Sequence, residues 1–220
     1  MIYRTLDLVK STFDLEEQDI GNLGNQKVRG LNFKIKSYDV KGVGHLSTMD
    51  VSGMMGLMKM QSVIITPFCK DAPLFSYDRV FAMGNDTFIL ELYDTMLDKE
   101  NESYKNSIAK FVKHQDKVLD IPNHELESHW YDYLRLEGST AKKTKNQKTR
   151  LNDYYLEALN HYFDMIKSAP DTDVKQKKEK SGEYVSGLYT NGGASTDAFI
   201  KKLGKQKVVE LYEKALFGNA

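Results

Sequence analysis

Cysteine is almost missing from the sequence. Cys69 stands alone among 220 residues, which excludes an internal disulfide and a thiolate zinc site and fits a reducing compartment. Four prolines and fifteen glycines, beside 40% hydrophobic residues, exclude a collagen-like or disordered chain. No run approaches the roughly 18 apolar residues of a membrane span. The opening MIYRTLDLVKSTFDLEEQD carries acids where a secretory signal needs an apolar core. Charge of one sign is lacking too: 31 basic residues balance 31 acidic ones, which argues against a protein built to neutralise duplex nucleic acid. There is no phosphate loop, dinucleotide fingerprint or nucleophile elbow. His124 and His129 are five apart and do not stack on one helix face, so no metal site is expected. These absences leave a cytoplasmic, soluble, monomeric chain forming one domain over residues 1–220.

The patterning divides that domain. Ile2, Leu6, Val9 and Phe13 recur at helical spacing and predict a helix within residues 1–20. The stretch GNLGNQKVRG breaks it. Residues 31–43 alternate loosely as a strand that residues 45–49 continue. MKMQSVIIT at 58–66, LFSYDRVFAM at 74–83 and TFILELYD at 87–94 predict an antiparallel meander, with a tight turn at Gly84-Asn85-Asp86. Two of these strands are apolar at nearly every position, the mark of a sheet covered on both faces. Helices are expected at 101–118, 123–135 and 149–168. Basic loops are expected over GSTAKKTKNQKT and APDTDVKQKKEKSG. After a glycine break at 192–193, Ser195 is expected to cap a helix that Gly204 ends, and a last helix follows. Helix, sheet, then helices is the order of an α+β fold.

Within the meander one carboxylate stands out. Alternation puts Asp78 on a face with Val80 and Ala82, and Gln61 on a face with Val63 and Ile65. A carboxylate on a covered sheet face is costly unless it is paired or used. Burial raises its pKa, which suits proton donation near neutrality. The plainer reading makes Asp78 an edge residue paired with Arg79 or a lysine. The methionines of MDVSGMMGLMKM either fill the core or line an adaptable pocket. The lysines at 142, 143, 145 and 148 with Arg150, and those at 175, 177, 178 and 180, form either solvated loops or a docking patch for an acidic protein.

The stretch QSVIITPFCKDAPLFSYDRVF resembles the core of the ferredoxin-dependent bilin reductases, the phycocyanobilin:ferredoxin oxidoreductase-like family. Its pattern is a polar residue opening an apolar strand, a proline, then Asp71-Ala72-Pro73-Leu74-Phe75-Ser76-Tyr77-Asp78. The C-terminal run YVSGLYTNGGASTDAFIKKLGKQKVVELYEKALF is similar to the family's closing pattern, and the likeness covers roughly residues 45–217. It implies a three-layer α/β/α sandwich, with a central antiparallel sheet and helices on both faces; red chlorophyll catabolite reductase shares that architecture. It implies reduction of a linear tetrapyrrole such as biliverdin without metal or bound cofactor, with electrons arriving singly from ferredoxin or flavodoxin. Asp78 matches the family's central proton-donating aspartate. Gln61 would orient the substrate, and His45 would assist from the preceding strand. Met58, Met60, Val63, Val80 and Asn191 would contact the bilin. A second family aspartate, after the asparagine of the C-terminal break, has no counterpart in Asn191-Gly192-Gly193. That departure favours the alternative of a tetrapyrrole carrier on the same scaffold, without reduction.

Overall fold

The computed structural model describes residues 1–193 and 196–219, excepting the side chain of Met54. The chain starts with helix α1 (Ile2–Thr12) and then strands β1 (Leu15–Gln18), β2 (Asn25–Val28), β3 (Leu31–Val40), β4 (Gly44–Gly53), β5 (Met58–Pro67), β6 (Leu74–Ala82) and β7 (Asn85–Tyr93). Helix α2 (Glu102–His114) follows, then β8 (Thr140–Thr144), α3 (Lys148–Ser168), α4 (Val174–Thr190), α5 (Thr196–Leu203) and α6 (Lys205–Glu210). The last helix runs on through a wider π turn, Leu211–Leu216.

Among the described residues, eight strands form one antiparallel sheet in the order β1-β3-β4-β5-β6-β7-β8, with β2 also pairing β3. The meander expected at 58–94 is present in register: Ser62 faces Asp78, and Asp78 faces Ile89. Strict alternation then sorts the side chains. One face carries Val63, Ile65, Phe75, Tyr77, Phe88 and Leu90, sealed beneath α1, α2 and α3. The other carries Phe33, Ile35, Val51, Leu74 and Tyr93 beneath α4, α5, α6 and the C-terminal turn. The fold is therefore α+β, a three-layer sandwich with an antiparallel sheet at its centre.

Several local expectations are corrected. Helix α1 stops at Thr12, and residues 15–18 are strand, because Leu15–Gln18 pair with the end of β3. The helix expected at 123–135 is an irregular strap with one short 3₁₀ turn at Asp132–Leu134. Its hydrogen bonds go elsewhere: His124 N–H donates to Ala141 O, and the Trp130 indole N–H donates to Gly192 O at 2.7 Å. The basic loop expected after Gly138 contains β8, because its backbone completes the edge of β7. The second basic stretch opens α4, whose N-terminus is capped by Asp173 accepting from Gln176 N–H. Gly204 does end α5, with a φ of 85° that favours glycine. Ser195 lies outside the described residues.

Candidate active site

The residues of β5 and β6 differ sharply between faces. Toward α3 they are bulky: Val63, Phe75, Tyr77. Toward α4 they include Ser62, Ser76 and Asp78. Small polar side chains leave a hollow that the C-terminal helices do not fill. The hollow is a cavity of about 430 Å³, within the usual range for small-molecule sites. Asp78, Ser62 and Ser76 line its floor with Met49 and Met60. Tyr184 of α4, Phe199 of α5, and Tyr212 and Phe217 beyond α6 line it opposite. The strap, residues 122–131, crosses one side and brings in His124 and His129.

Asp78 is a carboxyl whose pKa its surroundings raise. Burial pushes its carboxyl up to about 6, the Ser62 hydroxyl hydrogen-bonded to it pulls the other way, and the negative charge of Glu91 adds to the rise. Among the described residues it has no ion-pair partner. The alternative pairing with Arg79 does not form, because Arg79 lies on the other face and is held by Asp86 in a buried bidentate pair. Glu91, one strand over and diagonal to Asp78, is a carboxylate of a different kind. It accepts from Arg135 Nε at 2.8 Å and from the Tyr93 hydroxyl at 2.8 Å. On its sheet side the cavity thus holds two carboxylates, one clamped by a guanidinium and one with no ion-pair partner among the described residues, while the exposed Glu125 and Glu127 of the strap line its rim; such divergent environments set acid and charge-bearing roles apart. Tyr93 stacks on Tyr184 with ring centroids 4.9 Å apart, and Tyr131 meets Tyr93 edge-on at 5.7 Å, so aromatic faces form one wall.

The other expected site residues scatter. Met60 lines the cavity. Met58 and Val80 share its sheet face but lie further toward the hairpin end, outside the lining. Gln61 and Val63 are corrections: they point to the opposite face, where Gln61 Oε1 accepts from the Met1 amine at 3.0 Å and Val63 is fully buried in the core. The family-like spacing from Gln61 to Asp78 is one residue out of phase in this sheet. The side chain beside Asp78 is Ser62, opposite it in register. His45 is on the cavity's face of the sheet but four residues along from the register of Ser62, roughly 13 Å at strand rise. It is buried, its Nε2 bonded to Ala215 O, and burial pulls its pKa down to about 4. It braces the C-terminal turn and is no proton source near neutrality. Asn191 caps the end of α4, exposed and outside the cavity lining.

The basic runs also divide. Lys142 is buried, donating to Ile121 O and Asn123 Oδ1. Lys177 is fully buried and donates to Asp71, Ala72 O and Thr95 O, while Arg150 is paired with Asp120. Lys142 and Lys177 hold the fold together and cannot serve a docking patch, and the Arg150 pair lies at the surface. Reasoning from sequence missed Ser62, Ser76, Glu91 and Arg135. Ser76 among the bulky residues of 74–78 was the available signal for the second, and Ser62 within MKMQSVIIT for the first. Arg135 is brought in by the non-helical path of the strap, which no periodicity announces. Among the described residues, no group of three or more His, Cys, Asp or Glu side chains is arranged to hold a metal ion. No described helix is long and apolar enough to cross a membrane.

No protein-family model matches the chain, and no curated protein sequence matches it. Among solved structures it is similar to phytochromobilin synthase from tomato, crystallised in complex with biliverdin. The TM-score is 0.76 at 14% sequence identity, over 99% of this chain and 82% of that one. At that identity the likeness establishes a shared fold, the three-layer architecture described above.

Proposed function

We propose that the protein reduces a linear tetrapyrrole of the biliverdin type, bound in the cavity between the sheet and α4–α6. The observation that carries this reading is Asp78, a carboxylate without an ion-pair partner among the described residues whose pKa burial raises to about 6, within reach of proton exchange near neutrality, on the floor of an aromatic-walled cavity. The shared fold with a synthase crystallised with biliverdin supports it, as does the sequence resemblance to the ferredoxin-dependent bilin reductases. The balance is two electrons and two protons per double bond reduced. Each electron comes from one reduced ferredoxin or flavodoxin, which is oxidised by one unit. Asp78 gives a proton to the substrate after each electron, regaining it from solvent between the two steps, so two protons are delivered per double bond. Ser62 steadies the carboxylate once it is ionised. The fixed charge of Glu91 favours return of the proton.

A carrier without reductase activity is the second reading. The break Asn191-Gly192-Gly193 bears no carboxylate, and Glu91 is committed to Arg135. An anaerobic absorbance titration with biliverdin, followed by reduced ferredoxin, separates the two. A saturable spectral shift followed by loss of the biliverdin band is the expected result. A shift that ferredoxin leaves unchanged favours the carrier. Asp78→Asn is expected to keep binding within about threefold and to slow reduction by 10²-fold or more, the usual scale for a lost general acid. Reduction at the parent rate would remove Asp78 from the reaction.

A further inference from the structure

The hairpin turns at one end of the sheet are unusual for a soluble surface. The β2–β3, β4–β5 and β6–β7 connections place Arg29, Met55 and Met83 at φ values of 50°, 53° and 50°, each followed by a glycine at positive φ. Turns of this kind favour asparagine or aspartate at the first position, and a methionine there pushes its side chain out into water. Met55 is fully exposed, Met83 is 79% exposed, and Leu57 beside them is 66% exposed. The turns are neighbours, since Met58 pairs with Ala82 and Gly53 with Met58.

Cations surround this apolar spot. Lys27, Arg29 and Lys59 come from the β2–β5 hairpins, and Lys143, Lys145 and Lys148 from the edge beside β7; all are exposed. None of them makes an ion pair with a described carboxylate. The acid on these turns, Asp86, is buried against Arg79. The next, Asp50, sits further along β4 opposite Lys34. A chain of zero net charge has thus gathered unpaired positive charge around three exposed apolar side chains.

We infer that this hairpin end is the docking surface for an acidic one-electron carrier protein. The inference rests on the reductase reading for the carrier's task, and on the charge pattern for its chemistry. Exposed apolar side chains within a charged rim match the anatomy of a transient protein interface, and the cations would speed encounter with an acidic partner. Position favours the same occupant. Met60 and Met49 line the cavity and lie only a few residues behind Met58, so an electron delivered at the turns enters beside the substrate. An anionic membrane or a nucleic acid would also meet the positive charge, but neither has reason to sit against the cavity end of the sheet.

The test titrates isotope-labelled protein with ferredoxin at low salt and follows backbone amide shifts. Shifts confined to residues 27–30, 55–59, 83–85 and 143–148, which vanish at high salt, are expected. Shifts elsewhere, or no binding at low salt, would overturn the inference. Lys59→Glu combined with Lys145→Glu should raise KM for reduced ferredoxin on the order of tenfold. Biliverdin affinity, and the rate with a small chemical reductant, should stay unchanged. If the shifts appear but no reductant consumes biliverdin, the docking surface stands and the reductase reading fails. Binding to phosphatidylserine vesicles or duplex DNA at physiological salt, with no ferredoxin binding, would replace this partner with another class.

Discussion

The two faces of the sheet have the same strands beneath them and opposite characters. Toward α1–α3, the buried charges are paired: Arg79 is clasped by Asp86 and reaches Asn152, and Tyr155 meets the Thr5 hydroxyl at 2.9 Å, while the Tyr77 hydroxyl is buried without a hydrogen-bond partner. Tyr77 stacks on Tyr155 with centroids 3.9 Å apart. Toward α4–α6, a buried carboxylate is left without a base and a cavity is left unfilled. The first face stabilises the fold. The second gives up packing and holds a carboxylate in the state that costs most, which is how binding sites differ from cores. The difference teaches that residues 74–82 serve both purposes at once, because a strand changes task with every residue.

Breaking the first face should have the largest effect. Arg79→Ala leaves Asp86 buried without its partner and is expected to cost about 3–5 kcal/mol in urea unfolding. A cost under about 1 kcal/mol would show that the pair is not closed off from water. On the second face the sign reverses. The carboxyl of Asp78 is raised from 3.8 to about 6, so the folded protein holds a proton that the unfolded chain releases. The associated stability is complete below about pH 4 and is lost as pH rises through 6. The fall is about 3 kcal/mol at most at 1.36 kcal/mol per unit, and less because the cavity admits solvent. Asp78→Asn should flatten that segment of the stability profile, measured as urea midpoints between pH 4 and 7.5. An unchanged slope would mean that Asp78 is solvated like a surface acid.

Ser62 offers a finer test of the same contrast. Its hydroxyl bonds the Asp78 carboxylate and opposes the effect of burial. Ser62→Ala should therefore move the Asp78 titration upward by about one pH unit, the scale of one hydrogen bond to a charged group. Carboxyl infrared bands followed against pH would show it. A downward movement would place the hydroxyl on the neutral form instead.

How much of this was legible in the sequence depends on which link carried the information. The meander was readable because β-branched runs and turn residues are local signals, and so was the isolation of Asp78 among apolar neighbours. The three-layer architecture came from the family resemblance, and the packing of helices on both faces agrees with it. The phase between strands was not readable. Whether Gln61 or Ser62 faces Asp78 depends on how the β5–β6 connection closes, and a shift of one residue exchanges the faces. The helix expected at 123–135 is replaced by the strap because its hydrogen-bond partners, Ala141 and Gly192, are distant in sequence. The buried state of Lys142 and Lys177, which fits neither solvated loops nor a docking patch, is hidden in the sequence because their acceptors are largely backbone carbonyls, which no charge count reveals.

The smallest expected effect sharpens the comparison most, because it concerns that phase directly. Gln61→Ala removes a side chain bonded to the Met1 amine on the α1 side. The loss is one partly buried hydrogen bond, about 1 kcal/mol or less in unfolding. Biliverdin affinity and the rate of its reduction should change by less than twofold, since the sheet itself stands between this side chain and the cavity. Ser62→Ala, one residue away along the same strand, should alter the pH dependence of that rate while costing no more stability. A Gln61 variant that lost biliverdin while Ser62→Ala changed nothing would mean that β5 is in the other phase in solution. The cavity would then have to be sought beneath α1 and α3, where the structure places a closed aromatic core.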